Sequence, residues 1–138
     1  MSGKSMQNNI QGLMFDLDGV LYIEDQLIDG AAETIGYIQE RGIPLRYVTN
    51  TTTKSRQAIA QKLRAMGIPA QPQDILSAPY ATNIHLRQRQ PRSCYFVVSD
   101  AVREEFREFP ISETDPEVVV IGDIGRSWNY DLVNQIFQ

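Results

Sequence analysis

Two carboxylates, Asp16 and Asp18, stand one residue apart directly after an apolar run and just before Gly19. Such a pair suits phosphoryl or acyl transfer, because one carboxylate attacks the phosphorus or carbonyl centre and the other carries a proton to the leaving group. Two acids repel each other and an anionic substrate, which calls for a hard cation such as Mg²⁺ on oxygen ligands. Gly19 lets the backbone approach a phosphate closely or adopt a positive φ. The alternative interpretation of these residues is an Asp-rich turn after a strand.

A second polar group, formed by Thr49, Asn50 and Thr51, follows the next apolar run and precedes a helical pattern. Hydroxyls and free backbone N–H groups at a helix N-terminus bind phosphate oxygens, so these three residues are candidate phosphate-binding groups. Taken alone, the group is better explained as an N-cap with β-branched neighbours.

The elements that must position these residues alternate between strands and helices. Apolar runs predict strands at residues 13–15, 45–48 and 75–77, and the continuous first run is typical of a strand buried on both faces. Strand–helix–strand order predicts parallel pairing, with both polar groups at the strand ends where ligands bind in α/β sheets. The same alternation continues with strands at residues 94–98 and 118–121 and helices at residues 100–109 and 130–137.

The composition excludes several classes of protein. The chain has 138 residues and a net charge of −4, which argues against a nucleic-acid partner. A single cysteine, Cys94, cannot form an internal disulfide and favours a reducing, cytoplasmic location. No apolar stretch reaches membrane-spanning length, so we expect no membrane partner. The polar start predicts a disordered leader over residues 1–11.

The motif F-D-L-D-G-V-L-Y resembles motif I of the haloacid dehalogenase (HAD) superfamily phosphatases, and V-T-N-T-T resembles their motif II. This resemblance implies that Asp16 is the nucleophile that becomes an aspartyl phosphate and that Asp18 is the general acid and base. It also implies that Asp16 and the backbone carbonyl of Asp18 ligate Mg²⁺, and that Thr49 is the phosphate-binding hydroxyl, with Asn50 beside it.

The whole chain resembles the N-terminal half of the C2-capped, NagD-like and 4-nitrophenylphosphatase-like branch. This branch includes the phospholysine phosphohistidine inorganic pyrophosphate phosphatase. The resemblance implies a HAD-like Rossmannoid parallel sheet in a three-layer α/β/α fold, followed by the beginning of a C2-type α/β cap. Residues 12–91 would form the N-terminal part of the core domain, and residues 92–138 the first part of the cap.

Two elements of the family pattern have no counterpart in the sequence. No lysine follows Lys62 to serve as the motif III lysine. Gly122 and Asp123 resemble motif IV, but Trp128 stands where that motif has its second acid, so we interpret Asp123 as a turn residue.

The function implied by the resemblance is a Mg²⁺-dependent phosphohydrolase acting on small phosphorylated metabolites, of which this chain is an incomplete and inactive fragment. The alternative is a non-catalytic module that binds phosphate, Mg²⁺ or a protein partner on a degenerate HAD fold. A homodimer would form through the cap or through an exposed sheet edge.

Overall fold

The structure is a computed structural model that describes residues 10–137, so most of the predicted leader lies outside the described residues. Short 3₁₀ helices at Pro72–Asp74, Asp100–Phe106 and Gly125–Ser127 interrupt the loops. The strands and α-helices within this range are β1 Leu13–Asp16, β2 Tyr22–Ile23, β3 Gln26–Leu27, α1 Ala31–Glu40, β4 Leu45–Thr49, α2 Arg56–Ala65, β5 Ile75–Ser77, α3 Ala78–Arg89, β6 Cys94–Val97, β7 Val118–Ile121 and α4 Tyr130–Phe137.

The main sheet has three parallel strands in the order β1-β4-β5. Leu13 pairs with Leu45 at the start of β1, and Asp16 pairs with Val48 at its end. Strand β4 in turn aligns Thr49 with Ser77 of β5. The predicted parallel pairing of the three strands is therefore confirmed, and their carboxyl ends lie side by side.

Helices α1 and α2 share one hydrophobic core with the inner face of this sheet. Ile35 of α1 and Leu63 of α2 are fully buried in the same cluster as Tyr47 of β4. The opposite face of the sheet is much more open, since the side chain of Met14 on β1 is 74% exposed. Residues 10–137 thus supply the sheet and the helix layer on one side of it.

Strand β1 differs from the prediction that it is buried on both faces. Its side chains alternate, with Leu13 and Phe15 half-buried and Met14 and Asp16 exposed. The physical reason is its position at the end of the sheet, where β4 is its only partner among the described strands. Within residues 10–137, the outer edge of β1 therefore has no strand partner.

The C-terminal unit, residues 94–137, contains a second sheet in which β6 and β7 pair in parallel. Its core stacks the rings of Phe96 and Phe106 with centroids 4.7 Å apart. Leu86 of α3 is buried in the same cluster, so α3 connects the two cores. The segment predicted as a helix over residues 100–109 is instead a 3₁₀ helix at Asp100–Phe106, which ends before Pro110.

Helix α3 turns a different face inward than its apolar spacing suggested. The spacing of the apolar residues Tyr80 and Ile84 predicts that they face inward, but Ile84 is 37% exposed, and Pro79, Asn83 and Leu86 are buried instead. The helix packs against the C-terminal unit as well as the sheet, and the Asn83 side chain donates an N–H there to the backbone oxygen of Glu105. Within residues 10–137, no helix is both long enough and apolar enough to cross a membrane.

Candidate active site

The candidate catalytic residues follow from the end of β1. The register places Asp16 beside Val48, so Thr49 comes one residue further along the neighbouring strand. Asp16 is exposed, and its Oδ1 accepts the N–H of Leu17 at 2.9 Å. Thr49 is 9% exposed, which holds its hydroxyl in a fixed position at the strand end. The sheet therefore brings motif I and motif II to one edge.

A tight turn after β1 positions Asp18. The carbonyl of the fully buried Leu17 accepts the N–H groups of Val20, Leu21 and Tyr22 at 3.2, 2.9 and 3.3 Å. Gly19 has a φ of +79°, and no atom within 4 Å would meet an added Cβ. Positive φ, rather than crowding, is therefore the reason for glycine here. The Gly19 N–H already donates to the carbonyl of Tyr22 at 2.7 Å.

The turn leads into a small hairpin, β2–β3, that the sequence did not predict. Its only ladder pairs are Tyr22 with Leu27 and Ile23 with Gln26. Glu24 occupies the left-handed region with a φ of 53° at the start of the two-residue loop. The loop lacks the Asn-Gly or Asp-Gly dipeptide that usually announces such hairpins. The available signal was the polar Glu-Asp pair between two short apolar segments.

A cleft of about 270 Å³ joins four of the six predicted site residues, namely Asp18, Thr49, Asn50 and Thr51. Asp16 and Gly19 do not line this cleft. Its remaining wall is formed by residues that sequence reasoning had not assigned to the site: Tyr22, Glu24, Lys54, Ile59 and Lys62. The two lysines place positive charge next to the candidate phosphate-binding groups.

The Thr49–Thr51 loop is held by its own hydrogen bonds. The Oγ1 of Thr49 accepts the N–H of Thr51 at 3.2 Å. A hydroxyl has one donor and two acceptor positions, so Thr49 keeps its proton for a ligand oxygen. The Thr51 hydroxyl lies 3.4 Å from that of Thr53. Of the groups predicted to bind phosphate, the Thr49 hydroxyl has the arrangement best suited to donate.

At the N-terminus of α2, two backbone N–H groups that the sequence suggested as phosphate donors already have partners within the protein. Ser55 caps it, accepting the N–H of Ala58 at 3.2 Å. Glu105, from the C-terminal unit, accepts the backbone N–H of Arg56 at 3.3 Å and its guanidinium Nε at 3.0 Å. The guanidinium also lies 3.5 Å from the ring centroid of Tyr80. Arg56 is therefore committed to contacts within the protein.

The charged groups of the candidate site shift the pKa of the Tyr22 phenol. Its pKa is raised, first by burial, and the nearby charges of Asp18 and Asp16 raise it further, while the Lys62 ammonium opposes them. Both carboxylates therefore act on the same buried ring, although only Asp18 lines the cleft. Tyr22 thus lies between the acids of motif I and a cation of α2.

The candidate site contains oxygen ligands of the kind that Mg²⁺ prefers. The Asp16 carboxylate and the Asp18 carbonyl are hard oxygen ligands of the sort that Mg²⁺ prefers alongside several waters. Among residues 10–137, however, no three His, Cys, Asp or Glu side chains cluster closely enough to hold a metal. The described residues would therefore supply part of an octahedral site.

Asp123 behaves as the turn residue that its spacing indicated. Its Oδ1 accepts the N–H of Gly125 at 2.7 Å. Its own N–H donates to the hydroxyl of Thr52 at 3.2 Å, which places the end of β7 against the loop after β4. No sequence pattern predicts this contact, which joins residues 71 positions apart. His85 is exposed, whereas Cys94 is buried.

Paired carboxylates and a Thr-Asn-Thr loop at adjoining ends of a parallel sheet place the chain among Rossmann-like α/β proteins with a ligand site at the strand ends. The sequence pattern of the Haloacid dehalogenase-like hydrolase family matches residues 13–112. The chain belongs to this family.

Individual relatives agree with this assignment. The chain is 33% identical over 122 residues to the acid sugar phosphatase of Staphylococcus haemolyticus, covering 88% of this chain and 46% of that protein. NagD from the E. coli K-12 strain superposes with a TM-score of 0.84 and 28% identity, over 91% of this chain and 51% of NagD. The p-nitrophenyl phosphatase from Archaeoglobus fulgidus superposes with a TM-score of 0.81 and 27% identity, over 91% of this chain and 49% of that protein.

These similarities confirm the predicted HAD-like fold and the resemblance to the NagD-like and 4-nitrophenylphosphatase-like branch. The chain spans about half the length of each of these three proteins.

Proposed function

We propose that this chain carries the nucleophile and phosphate-binding residues of a Mg²⁺-dependent phosphohydrolase that acts on small phosphorylated metabolites. The observation that carries the proposal is the cleft lined by Asp18, Thr49 and Asn50, next to the strand that ends in Asp16. Relatives named as acid sugar and p-nitrophenyl phosphatases support a small phosphate ester as substrate.

The proposed reaction uses the two carboxylates in different roles. A carboxylate oxygen of Asp16 attacks phosphorus in line and forms a P–O bond, while the bond from phosphorus to the leaving oxygen breaks. Protonated Asp18 donates its proton to that leaving oxygen. Asp18 then takes a proton from water, the resulting hydroxide attacks phosphorus, and inorganic phosphate leaves with Asp16 regenerated. Both carboxyl groups return to their starting protonation states.

The remaining residues hold the phosphoryl group while these bonds change. The Thr49 hydroxyl donates to a phosphoryl oxygen, with Asn50 and Thr51 beside it. When bound, Mg²⁺ neutralises charge on the phosphoryl group, and the Asp16 carboxylate and Asp18 carbonyl would hold it. Positioning and charge neutralisation supply most of the catalysis in such chemistry.

The nucleophile is tested with beryllium fluoride, which binds a carboxylate as a mimic of an acyl phosphate and requires no turnover. Fluorine NMR of the chain with Mg²⁺ and beryllium fluoride is expected to show a bound resonance that disappears in Asp16→Asn. Asp25→Asn is the matched control, because Asp25 is 93% exposed on the hairpin loop. A bound resonance that persists in Asp16→Asn contradicts the assignment of the nucleophile.

We also propose that residues 1–138 alone hydrolyse phosphate esters poorly. No lysine follows Lys62 to neutralise the transferring group, and the acids within residues 10–137 form no metal cluster. We expect little hydrolysis of p-nitrophenyl phosphate with Mg²⁺ by this chain. Residues 92–138 would form the first part of a C2-type cap that contributes to substrate choice. Rapid, Asp16-dependent hydrolysis by the chain would show that its own residues complete the site.

The exposed edge of β1 favours a second property, self-association. Unpaired strand edges are templates for pairing with another chain, and Met14 and Ile10 beside this edge are 74% and 60% exposed. We infer that the isolated chain forms dimers or larger assemblies through this edge or through the C-terminal unit. Light scattering that shows a monodisperse monomer across concentrations would contradict this inference.

A cytoplasmic location, also proposed, fits the single buried cysteine.

The alternative function, a non-catalytic phosphate-binding or interaction module, is favoured by the same incomplete metal site. The two functions differ in one measurement. A non-catalytic module would bind beryllium fluoride or inorganic phosphate. It would show no turnover even when the lysine and the acids that the family pattern requires are supplied.

A further inference from the structure

The ammonium of Lys62 on α2 contacts three parts of the β2–β3 hairpin. Its Nζ donates to the carbonyl of Glu24 and lies 3.0 Å from Oδ1 of Asp25, both in the hairpin loop. The same ammonium lies 4.3 Å from the ring centroid of Tyr22, at the base of the hairpin. One cation therefore contacts the tip and the base of the same element.

The Lys62 side chain is more buried than that of an ordinary surface lysine. It is 19% exposed, whereas that of Asp25 is 93% exposed. The ion pair with Asp25 is therefore worth little by itself, because water screens it. The bond to the Glu24 carbonyl and the position over the buried ring of Tyr22 are two further contacts, and they distinguish this ammonium from a lysine that forms a single surface ion pair.

The hairpin needs such an anchor because it is too small to be stable alone. It has two residues in each strand, and two-stranded hairpins of this kind are marginal in water. Glu24, a non-glycine residue with a φ of 53°, adds a conformational cost at the loop. Contacts from outside the hairpin must offset these costs.

The hairpin is also connected directly to the candidate catalytic turn. The carbonyl of Tyr22 accepts the N–H of Gly19 at 2.7 Å, and Asp18 forms a β-bridge with Tyr22. The N–H of Ile28, just after β3, donates to the carbonyl of Leu21 at 3.0 Å. Any displacement of the hairpin from α2 therefore reaches Asp18 and Gly19 through these hydrogen bonds.

We propose that Lys62 is a positioning residue that fastens the Tyr22–Leu27 hairpin to α2 and thereby fixes Asp18 at the cleft. This inference rests on the proposed function for its catalytic consequence. The ammonium is already engaged by the hairpin, so its role differs from that of a lysine that contacts the phosphoryl group directly.

The test compares Lys62→Met, which keeps the length of the side chain but removes its charge, with Lys62→Arg, which keeps the charge and the donors. Hydrogen exchange measured by mass spectrometry follows peptides that cover residues 18–28, with peptides from β4 and β5 as the internal reference. Exchange over residues 18–28 is expected to become about tenfold faster in Lys62→Met, in line with loss of a charge-assisted hydrogen bond. Lys62→Arg is expected to restore slow exchange.

Arg64→Met is the matched control on the same helix. Its guanidinium also donates to a backbone carbonyl, that of Ala70 at 2.7 Å, but this partner lies outside the hairpin. This variant should leave exchange over residues 18–28 unchanged. Equal exchange in Lys62→Met and the native chain, or acceleration spread evenly over all peptides, would overturn the positioning role.

A binding measurement separates this inference from the proposed function. Beryllium fluoride affinity with Mg²⁺ should fall in Lys62→Met and recover in Lys62→Arg. If the native chain binds beryllium fluoride and Lys62→Met changes neither affinity nor exchange, the positioning role fails while the proposed function stands. If exchange responds as expected but the native chain binds no beryllium fluoride, the proposed function fails and the structural anchor remains.

Discussion

The contact between Glu105 and the start of α2 joins the C-terminal unit to the loop that carries the candidate phosphate-binding residues. The Glu105 side chain is 9% exposed and that of Arg56 is 22% exposed. Both carboxylate oxygens accept the guanidinium Nε, at 3.0 and 3.2 Å, and one also accepts the Arg56 N–H. Glu105→Gln keeps the shape of the side chain and one acceptor oxygen while removing the charge.

The expected loss of stability follows from the two interactions that depend on this charge. Replacing a hydrogen bond to a charged acceptor with one to a neutral acceptor costs about 1 kcal/mol. Removing a negative charge from a helix N-terminus costs about 0.5 kcal/mol more. We therefore expect Glu105→Gln to lower the free energy of unfolding by about 1.5 kcal/mol.

Urea denaturation followed by far-ultraviolet circular dichroism measures this change. With a slope of about 1–3 kcal/mol per molar urea, the midpoint should fall by roughly 0.5–1.5 M. Glu104→Gln is the control, because the pair of Glu104 with Arg107 is exposed on both sides and should contribute about 0–1 kcal/mol. If Glu105→Gln is no more destabilising than Glu104→Gln, the contact does not hold the two units together as argued.

Three further predictions address the core, the turn and the chemistry. The pKa of Tyr47 is raised to about 12, first by burial and then by the charge of Asp74. The protonated phenol is thus favoured in the folded state, so its stabilisation is complete below about pH 10 and is lost as the pH rises to about 12. Urea titrations across this range should show a decline that is smaller in Tyr47→Phe, and an equal decline in that variant would exclude Tyr47 as a source. Gly19→Ala should cost about 1–2 kcal/mol through its positive φ alone, measured by the same titration, and an unchanged midpoint would show that the turn relaxes without strain. In an active form of the protein, Asp18→Asn should slow p-nitrophenyl phosphate hydrolysis by ~10²–10⁴, and a native-like rate would remove Asp18 from proton transfer.

The local pattern of the sequence was sufficient for the main sheet. Apolar runs and helical spacing located the strands at Leu13, Leu45 and Ile75 and the helices between them, because burial on one face imposes these periods on the sequence. Parallel order followed from the strand–helix–strand connections. The motif residues Asp16, Asp18 and Thr49 could be proposed from the sequence because they stand at the ends of apolar runs: Asp16 and Thr49 end β1 and β4, and Asp18 lies two residues beyond β1.

Only the tertiary structure decided how this edge is supported. The hairpin anchored by Lys62, the Glu105 contact with Arg56 and the Asp123 contact with Thr52 join residues 38, 49 and 71 positions apart. Polar contacts of this kind leave no periodic trace, because any exposed charge in the sequence is compatible with many partners or with water. The inward face of α3 depends likewise on the C-terminal unit that packs on it, so its buried Asn83 could not be distinguished from a solvated one. The candidate site residues can be located from the local sequence at the strand ends, whereas their positions in space depend on contacts between distant segments.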